Sequence, residues 1–384
     1  MNTENKKPRK VSSLGIVGIL FSGVGVKCLD IFNKSDIWLW LFVCIFFLLL
    51  VFNAWRMIAY VSKIDANRAR GVRFFAIWCI VLLIGGSFFE ELGPKIPPSV
   101  YINQDDVNLL MARRLWITYD PITYNPYKSP NPDIPSMEKE LSWIKNARFT
   151  GIITFNSRDN FSKIPELAKK QGLSVIMGIW NPLDRQELAN AIAKKKYVDG
   201  YCVGNNCLNK DYSFAQLTHA LQVIRFRTKK PVSTTEPICK YLLDERLINL
   251  GDWIFPDVHS SIPIDDPVRD GKELINLSQK LSKKLSGQIV SRSKLILLKF
   301  VTYPDSGILN TSFDEQKRYF TYILKNHRTV MPEIPSNVYI SFHSAFDMPW
   351  KNNPSFNLWD PYTGLLNADG EPRPAVAEII KILP

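Results

Sequence analysis

The chain of 384 residues is 46% apolar and 12% aromatic, which excludes a disordered polymer and leaves room for a large barrel with an appendage. Its six cysteines are too few for a disulfide scaffold. A formal charge of +12 would suit a nucleic-acid binder, but residues 1–100 hold 12 Lys/Arg against 6 Asp/Glu, so half of the surplus sits beside the most apolar segments. Basic residues distribute that way around membrane spans, so the expected partner is a lipid bilayer and no nucleic acid.

Residues 1–92 read as an α-helical transmembrane region. Ile37–Trp55 is 19 residues without a charge, close to the ~20 that cross the hydrocarbon as a helix. Phe74–Phe89 is 16 residues, and extends to a second span over 72–90 if the Arg73 side chain snorkels. A third candidate, 14–32, ends on Lys27 and Asp30 and reads equally as an interfacial helix. The loop between the two strong segments carries Arg56, Lys63, Arg68, Arg70 and Arg73 against Asp65 alone, and such loops stay in the cytoplasm. The expected location is therefore the inner (plasma) membrane, with everything after Glu90 on the periplasmic, extracytoplasmic side.

Residues 93–113, with PKIPP at 94–98, read as a linker. From 114 to 384 short β-branched or aromatic runs alternate with amphipathic stretches. The runs occupy 114–121, 151–156, 174–180, 200–206, 231–237, 252–259, 294–304 and 338–347. Met137, Leu141 and Ile144, and then Phe214, Leu217, Leu221 and Ile224, recur at helical spacing. Gly172 is placed to stop the helix before the third run. Eight strands alternating with helices predict an α/β chain, a (β/α)8 TIM barrel, with a doubly wound sheet as the alternative.

In such a barrel the chemistry sits at the C-terminal ends of the strands. Those ends carry Tyr119 and Asp120, Asn156, Trp180, Asn205 and Asn206, Glu236, Asp257 and His259, Tyr303 and Asp305, and Ser344 with Asp347, Trp350 and Lys351. Aromatic faces stack on sugar rings while amides and carboxylates pair with hydroxyls, so the set favours a carbohydrate groove. The four histidines show no paired spacing and no Cys-x-x-Cys occurs; neither a metal nor any other cofactor is expected. Cys207 and Cys239 follow adjacent strands, and an oxidising compartment would permit a bond between them.

The segments LAKKQGLSVIMGIW (167–180), GYCVGNN (200–206), PVSTTEP (231–237), AFDMPWK (345–351) and GLLNADGEPRP (364–374) together resemble glycoside hydrolase family 17, the β-1,3-glucanases, most of all its bacterial, membrane-associated members. The resemblance spans 114–384. It implies a retaining mechanism with a glutamate acid/base after strand 4 and a glutamate nucleophile after strand 7, ~5–5.5 Å apart. The family's Val-Gly-Asn-Glu reads here Val203, Gly204, Asn205 and Asn206, and its Glu-Thr-Gly-Trp-Pro-Ser reads Phe300, Val301, Thr302, Tyr303, Pro304 and Asp305. Asn206 thus stands at the acid/base position and Phe300 at the nucleophile position.

The expectation is a membrane-anchored, catalytically degenerate barrel that binds β-glucan or another polysaccharide beside a membrane glycosyltransferase or exporter. Tyr119, Trp180, Asn205, Asn206, Glu236, Tyr303, Asp347, Trp350 and Lys351 are the candidate sugar-contacting residues, with Glu236 the fallback for catalysis. Two alternatives stand beside it: an active β-glucan hydrolase or transglycosylase using relocated carboxylates, and a structural subunit of a membrane complex.

Overall fold

The computed structural model describes residues 100–262, 264–288, 293–309, 311–328 and 333–382, all within the unit Ile96–Pro384. The expected spans 14–32, 37–55 and 72–90 lie outside the described residues. Among the described residues no helix is long and apolar enough to cross a membrane.

Seven parallel strands form one sheet: β1 (Trp116–Thr118), β2 (Gly151–Ile153), β3 (Ser174–Ile179), β4 (Gly200–Asn205), β5 (Val232–Thr235), β6 (Ile296–Val301) and β7 (Val338–Phe342). Their spatial order is β5-β4-β3-β2-β1-β7-β6. The run at 252–259 spans the gap between β5 and β6. It bridges Pro237 through Asp257 on one side, and Ile296 and Lys299 through Ile254 and Asp257 on the other. Pro256 has no N–H to give, so this eighth stave is held by isolated bridges rather than by a ladder. The result is a nearly closed, TIM-barrel-like cylinder, the expected architecture with seven regular strands instead of eight.

The helices are α1 (Gln104–Ala112), α2 (Ile134–Asn146), α3 (Ile164–Lys170), α4 (Arg185–Ala193), α5 (Phe214–Thr228), α6 (Ile238–Leu243), α7 (Glu245–Leu250), α8 (Pro267–Ser286), α9 (Phe313–Arg328) and α10 (Pro374–Ile382). Met137, Leu141 and Ile144 of the predicted stripes are buried in α2, and Leu217, Leu221 and Ile224 in α5, while Phe214 at the start of α5 is half-buried. Ser213 closes a capping box on Gln216 at the start of α5, satisfying two orphan donors at once. Gly172 follows α3 at φ 72, a left-handed turn that glycine adopts without steric cost.

α1 lies within the stretch read from sequence as a linker. Its Val107 and Met111 pack with Trp116, Ile153, Ile176, Cys202, Trp253, Phe255, Leu295 and Leu297, one residue or more from six staves. These fill the lower lumen. Asn103 caps α1 by accepting from Asp105 N. The Trp116 indole N–H donates to the Met111 carbonyl at 3.0 Å, and Asn108 donates to the Ser293 carbonyl at 2.8 Å. Gly151 is required opposite: a Cβ there would meet the Trp116 ring at 2.4 Å. The larger apolar core lies between the outer face of the sheet and the helices.

Candidate functional site

Side chains alternate between the two faces of a strand. The lumen residues therefore define which positions point inward higher up. Trp116 leads through Thr118 to Asp120, and Ile153 leads to Phe155. Trp253 and Phe255 lead to Asp257, Leu295 and Leu297 lead to Lys299, and Tyr339 and Ser341 lead to His343. The mouth is built from this column of residues.

Lys299 is the centre. It is 2% exposed, and its Nζ donates to Asn205 Oδ1 at 2.8 Å, reaching from β6 to β4. Its ammonium also lies 4.2 Å from the centre of the Phe300 ring. Burial lowers its pKa, while Cys202, Asp257, Asp120 and Glu236 pull the other way. Asp257 is 3% exposed; it accepts from Asn206 Nδ2 and from His259 N at 2.8 Å. His259 Nε2 stands 2.9 Å from Asp360 Oδ1. Burial acts to raise the Asp360 pKa, but His259 and the Asn357 N–H outweigh it and the group ends below the usual carboxylate range. His343 is held neutral by burial, with Nδ1 2.7 Å from Thr118 Oγ1. Burial lifts Asp120 to about 6 against the opposing pull of Lys351 and Lys299.

Phe300 should face outward by alternation. The β6/β7 register shifts between Leu298 and Val301, and Phe300 takes φ 64. A bulky residue in the left-handed region is strained by ~1–3 kcal/mol. The bulge turns the ring into the mouth, where it stacks on Phe155 at 5.5 Å and lies 4.6 Å from His343. Asn206 also has positive φ, 58°, just past the end of β4. The two positions that the sequence resemblance pairs with glutamates are thus both in the mouth. One holds an amide bound to Asp257, the other an aromatic plug.

The remaining candidates separate by face. Trp180, 44% exposed, stands on the rim after β3. Trp350 packs edge-on against Tyr124 at 5.7 Å and Phe356 at 5.3 Å, with Lys351 5.7 Å from its ring. Tyr119, Glu236 and Tyr303 lie on the outer face. Tyr119 is buried and donates to Glu140 Oε2 at 2.8 Å. Tyr303 is buried against Tyr319 at 5.0 Å. Glu236 is fully buried; its Oε1 accepts from Leu208 N at 2.9 Å and its Oε2 from Lys240 Nζ at 2.7 Å. Both oxygens are committed to holding the β4–α5 loop, so the fallback role does not suit it. Asp347 pairs with Arg373, which also pairs with Asp305, and accepts from Gly364 N; it clasps the segment after β7 to the C-terminal turn. Asp120 and Asp257 were among the strand-end residues of the sequence reading; Lys299 and His343 were not, and strict alternation from Leu295 and from Tyr339 would have found them. Cys202, Cys207 and Cys239 are free thiols, a correction to the bond weighed for Cys207 and Cys239. Among the described residues no three His, Cys, Asp or Glu side chains converge as metal ligands would.

No protein-family model matches the chain, and no curated protein sequence matches it. Solved structures do. A family 17 β-1,3-glucanosyltransferase from Rhizomucor miehei superposes with a TM-score of 0.53 at 16% identity, covering 69% of this chain and 97% of that one. An endo-laminarinase from Formosa Hel1_33_131 gives 0.54 at 14%, covering 70% and 87%. A family 2 β-galacturonidase from Eisenbergiella tayi gives 0.52 at 12%, covering 71% and 50%. The fold is that of a glycoside-hydrolase-like barrel. At these identities the likeness speaks for the fold alone, and it extends over more than one hydrolase family.

Proposed function

We propose that this chain is a membrane-anchored, glycosidase-like barrel that binds β-glucan or another polysaccharide without cleaving it, as a degenerate relative of the bacterial family 17 enzymes, beside a glycan synthesis or export system. The observation that carries the reading is the fate of the two reacting positions. Retaining hydrolysis needs one carboxylic acid to protonate the leaving oxygen and one carboxylate to attack. Asn206 supplies neither and is held by Asp257; Phe300 is packed into an aromatic stack. Around them Asp120, Asn205, Lys351, Trp180 and Trp350 retain groups suited to hydroxyls and ring faces.

The test is calorimetric titration of the protein with laminarin-type β-1,3-glucan oligosaccharides alongside a hydrolysis assay. Weak binding with no turnover is the expected result, and measurable wild-type turnover would overturn it. The anchoring is tested separately. A reporter fused after Gly172 is expected to be active only outside the cytoplasm, and cytoplasmic activity alone would reverse the topology. An active enzyme using relocated carboxylates is the second reading, favoured by the Asp120 carboxyl at about 6, within the working range of a general acid. On that reading turnover would be abolished by Asp120→Asn and not by Glu236→Gln.

A further inference from the structure

The loops that enter the parallel strands all lie at one end of the cylinder, the base, opposite the mouth. Those entering β1 to β5 adjoin one another, because these five strands are consecutive in the sheet. They read RR (113–114), KNAR (145–148), KK (169–170), KKK (194–196) and RFRTKK (225–230), and from there to each strand start the sole acid is Asp199. Ion pairs account for some of the charge: Lys169 with Asp199 at 2.6 Å, Lys194 with Glu166 at 2.9 Å and Arg225 with Asp252 at 2.9 Å. Lys195, Lys196, Arg227 and Lys229 are exposed and, among the described residues, form no ion pair. Cations at helix C-termini answer the macrodipole, but each end carries only about half a charge. One cation in each loop would serve that purpose, so the runs need another reason.

Rings stand among these cations. Lys196 Nζ lies 4.6 Å from the centre of the Tyr197 ring and Lys229 Nζ 4.3 Å from that of Phe226. Tyr101, 87% exposed, precedes α1, and Gln104 ties that helix to the base by donating to the Asp252 carbonyl at 2.9 Å. Residues 1–99, with the uncharged stretch Ile37–Trp55, therefore join the barrel at this end. The mouth end differs in sign, since Asp133, Asp184 and Asp266 cap helices there.

We propose that the base of the barrel, over the loops entering β1 to β5, docks on an anionic phospholipid surface and so turns the mouth away from the bilayer. Cations interleaved with amphipathic rings match a headgroup layer, where the ring bodies meet the acyl boundary and the ammonium groups meet phosphate. An arc of charge across five loops suits a plane better than the single line of phosphates along a duplex. Most of these cations are solvated, so the attraction fades beyond ~10 Å at 0.1 M salt and weakens as salt rises.

This inference deepens the anchoring in the proposed function and rests on it, and one experiment separates the two. The full chain is reconstituted in vesicles of phosphatidylcholine alone or with phosphatidylglycerol, and its lysines are acylated with a membrane-impermeant ester and read by mass spectrometry. Lys195, Lys196 and Lys229 are expected to react at least threefold more slowly in the anionic vesicles, with the difference lost in high salt. Lys128, Lys163 and Lys210 at the mouth end should react equally in both. Arg227→Glu with Lys229→Glu, checked by its thermal melt, should restore the rates at Lys195 and Lys196. Equal rates at the base lysines in a chain that resists alkaline carbonate extraction overturn the docking and leave the anchoring standing. Protection of those lysines by added duplex DNA, with none from phosphatidylglycerol, likewise overturns the docking. Extraction of the chain from both kinds of vesicle overturns the anchoring, and the docking with it.

Discussion

Asn206 and Asp257 are hydrogen-bonded to one another, and that bears on whether carboxylates placed at 206 and 300 could give the barrel hydrolytic activity. An amide donates where Asp257 accepts. A carboxylate at the same place would set two like charges together, and one would protonate or withdraw. The double variant Asn206→Glu with Phe300→Glu is therefore expected to show no retaining activity in a laminarin assay and to unfold at lower denaturant than wild type, the second substitution also burying a charge in an aromatic stack. Recovered turnover with retained anomeric configuration would contradict this. Glu236 gives a complementary prediction. Glu236→Gln keeps an acceptor for Leu208 N but turns an amide toward the Lys240 ammonium, losing the ion pair. Stability is expected to fall by ~1–3 kcal/mol in chemical denaturation, while affinity for glucan stays at the wild-type value. A matching loss of affinity would instead put Glu236 in contact with the sugar.

Among the elements, α1 shows what patterns along the chain reveal and what they conceal. The alternation of β-runs and helical stripes made the barrel legible, because strands buried on both faces and helices buried on one have distinct periods. The inner and outer members of each run were harder to tell apart, since Tyr119 and Asp120 are both polar-tipped and adjacent; only the bulky lumen anchors Trp116, Trp253 and Leu295 fix the parity. Phe300 escapes even that rule, because its bulge moves it to the other face. α1 was concealed because its short sequence QDDVNLLMA follows a proline-rich stretch, and the burial of its apolar positions Val107 and Met111 depends on Trp253, Phe255, Leu295 and Leu297, distant in sequence. Met111, fully buried, is thus expected to behave as a core residue: Met111→Ala should cost ~2–5 kcal/mol in equilibrium unfolding. A loss below ~0.5 kcal/mol would identify α1 as an ornament on a barrel that folds without it.

For the whole molecule, buried carboxyls set how stability responds to pH. Burial lifts Glu140 to about 7, with the Tyr119 hydroxyl and the Ile122 N–H pulling it down, and lifts Asp305 to about 6, opposed chiefly by Arg373. A carboxyl whose folded pKa lies above its unfolded value binds its proton more tightly when folded. Its penalty is absent below the unfolded pKa near 4, and grows as pH rises to the folded value. These groups should therefore lower the melting temperature as pH is raised from about 4.5 to 7. Opposing them, Asp244 and Asp266 are held low by hydrogen bonds from Arg246 and from the Arg269 N–H, and protect the fold until acid titrates them. Glu140→Gln, which keeps an acceptor for Tyr119, is expected to flatten the decline between pH 5 and 7 in thermal melts. An unchanged slope would show that Glu140 titrates normally.

The stopper formed by Val107, Met111 and Trp116 also limits how a polymer can meet this protein. The cylinder has a floor, so no glycan strand can thread it from end to end. A growing or departing polysaccharide could only be touched from one side, lying across the rim or offering a terminus to the mouth. A barrel of this kind would register a passing chain without conducting it, and would let go without the strand having to be cut or pulled through.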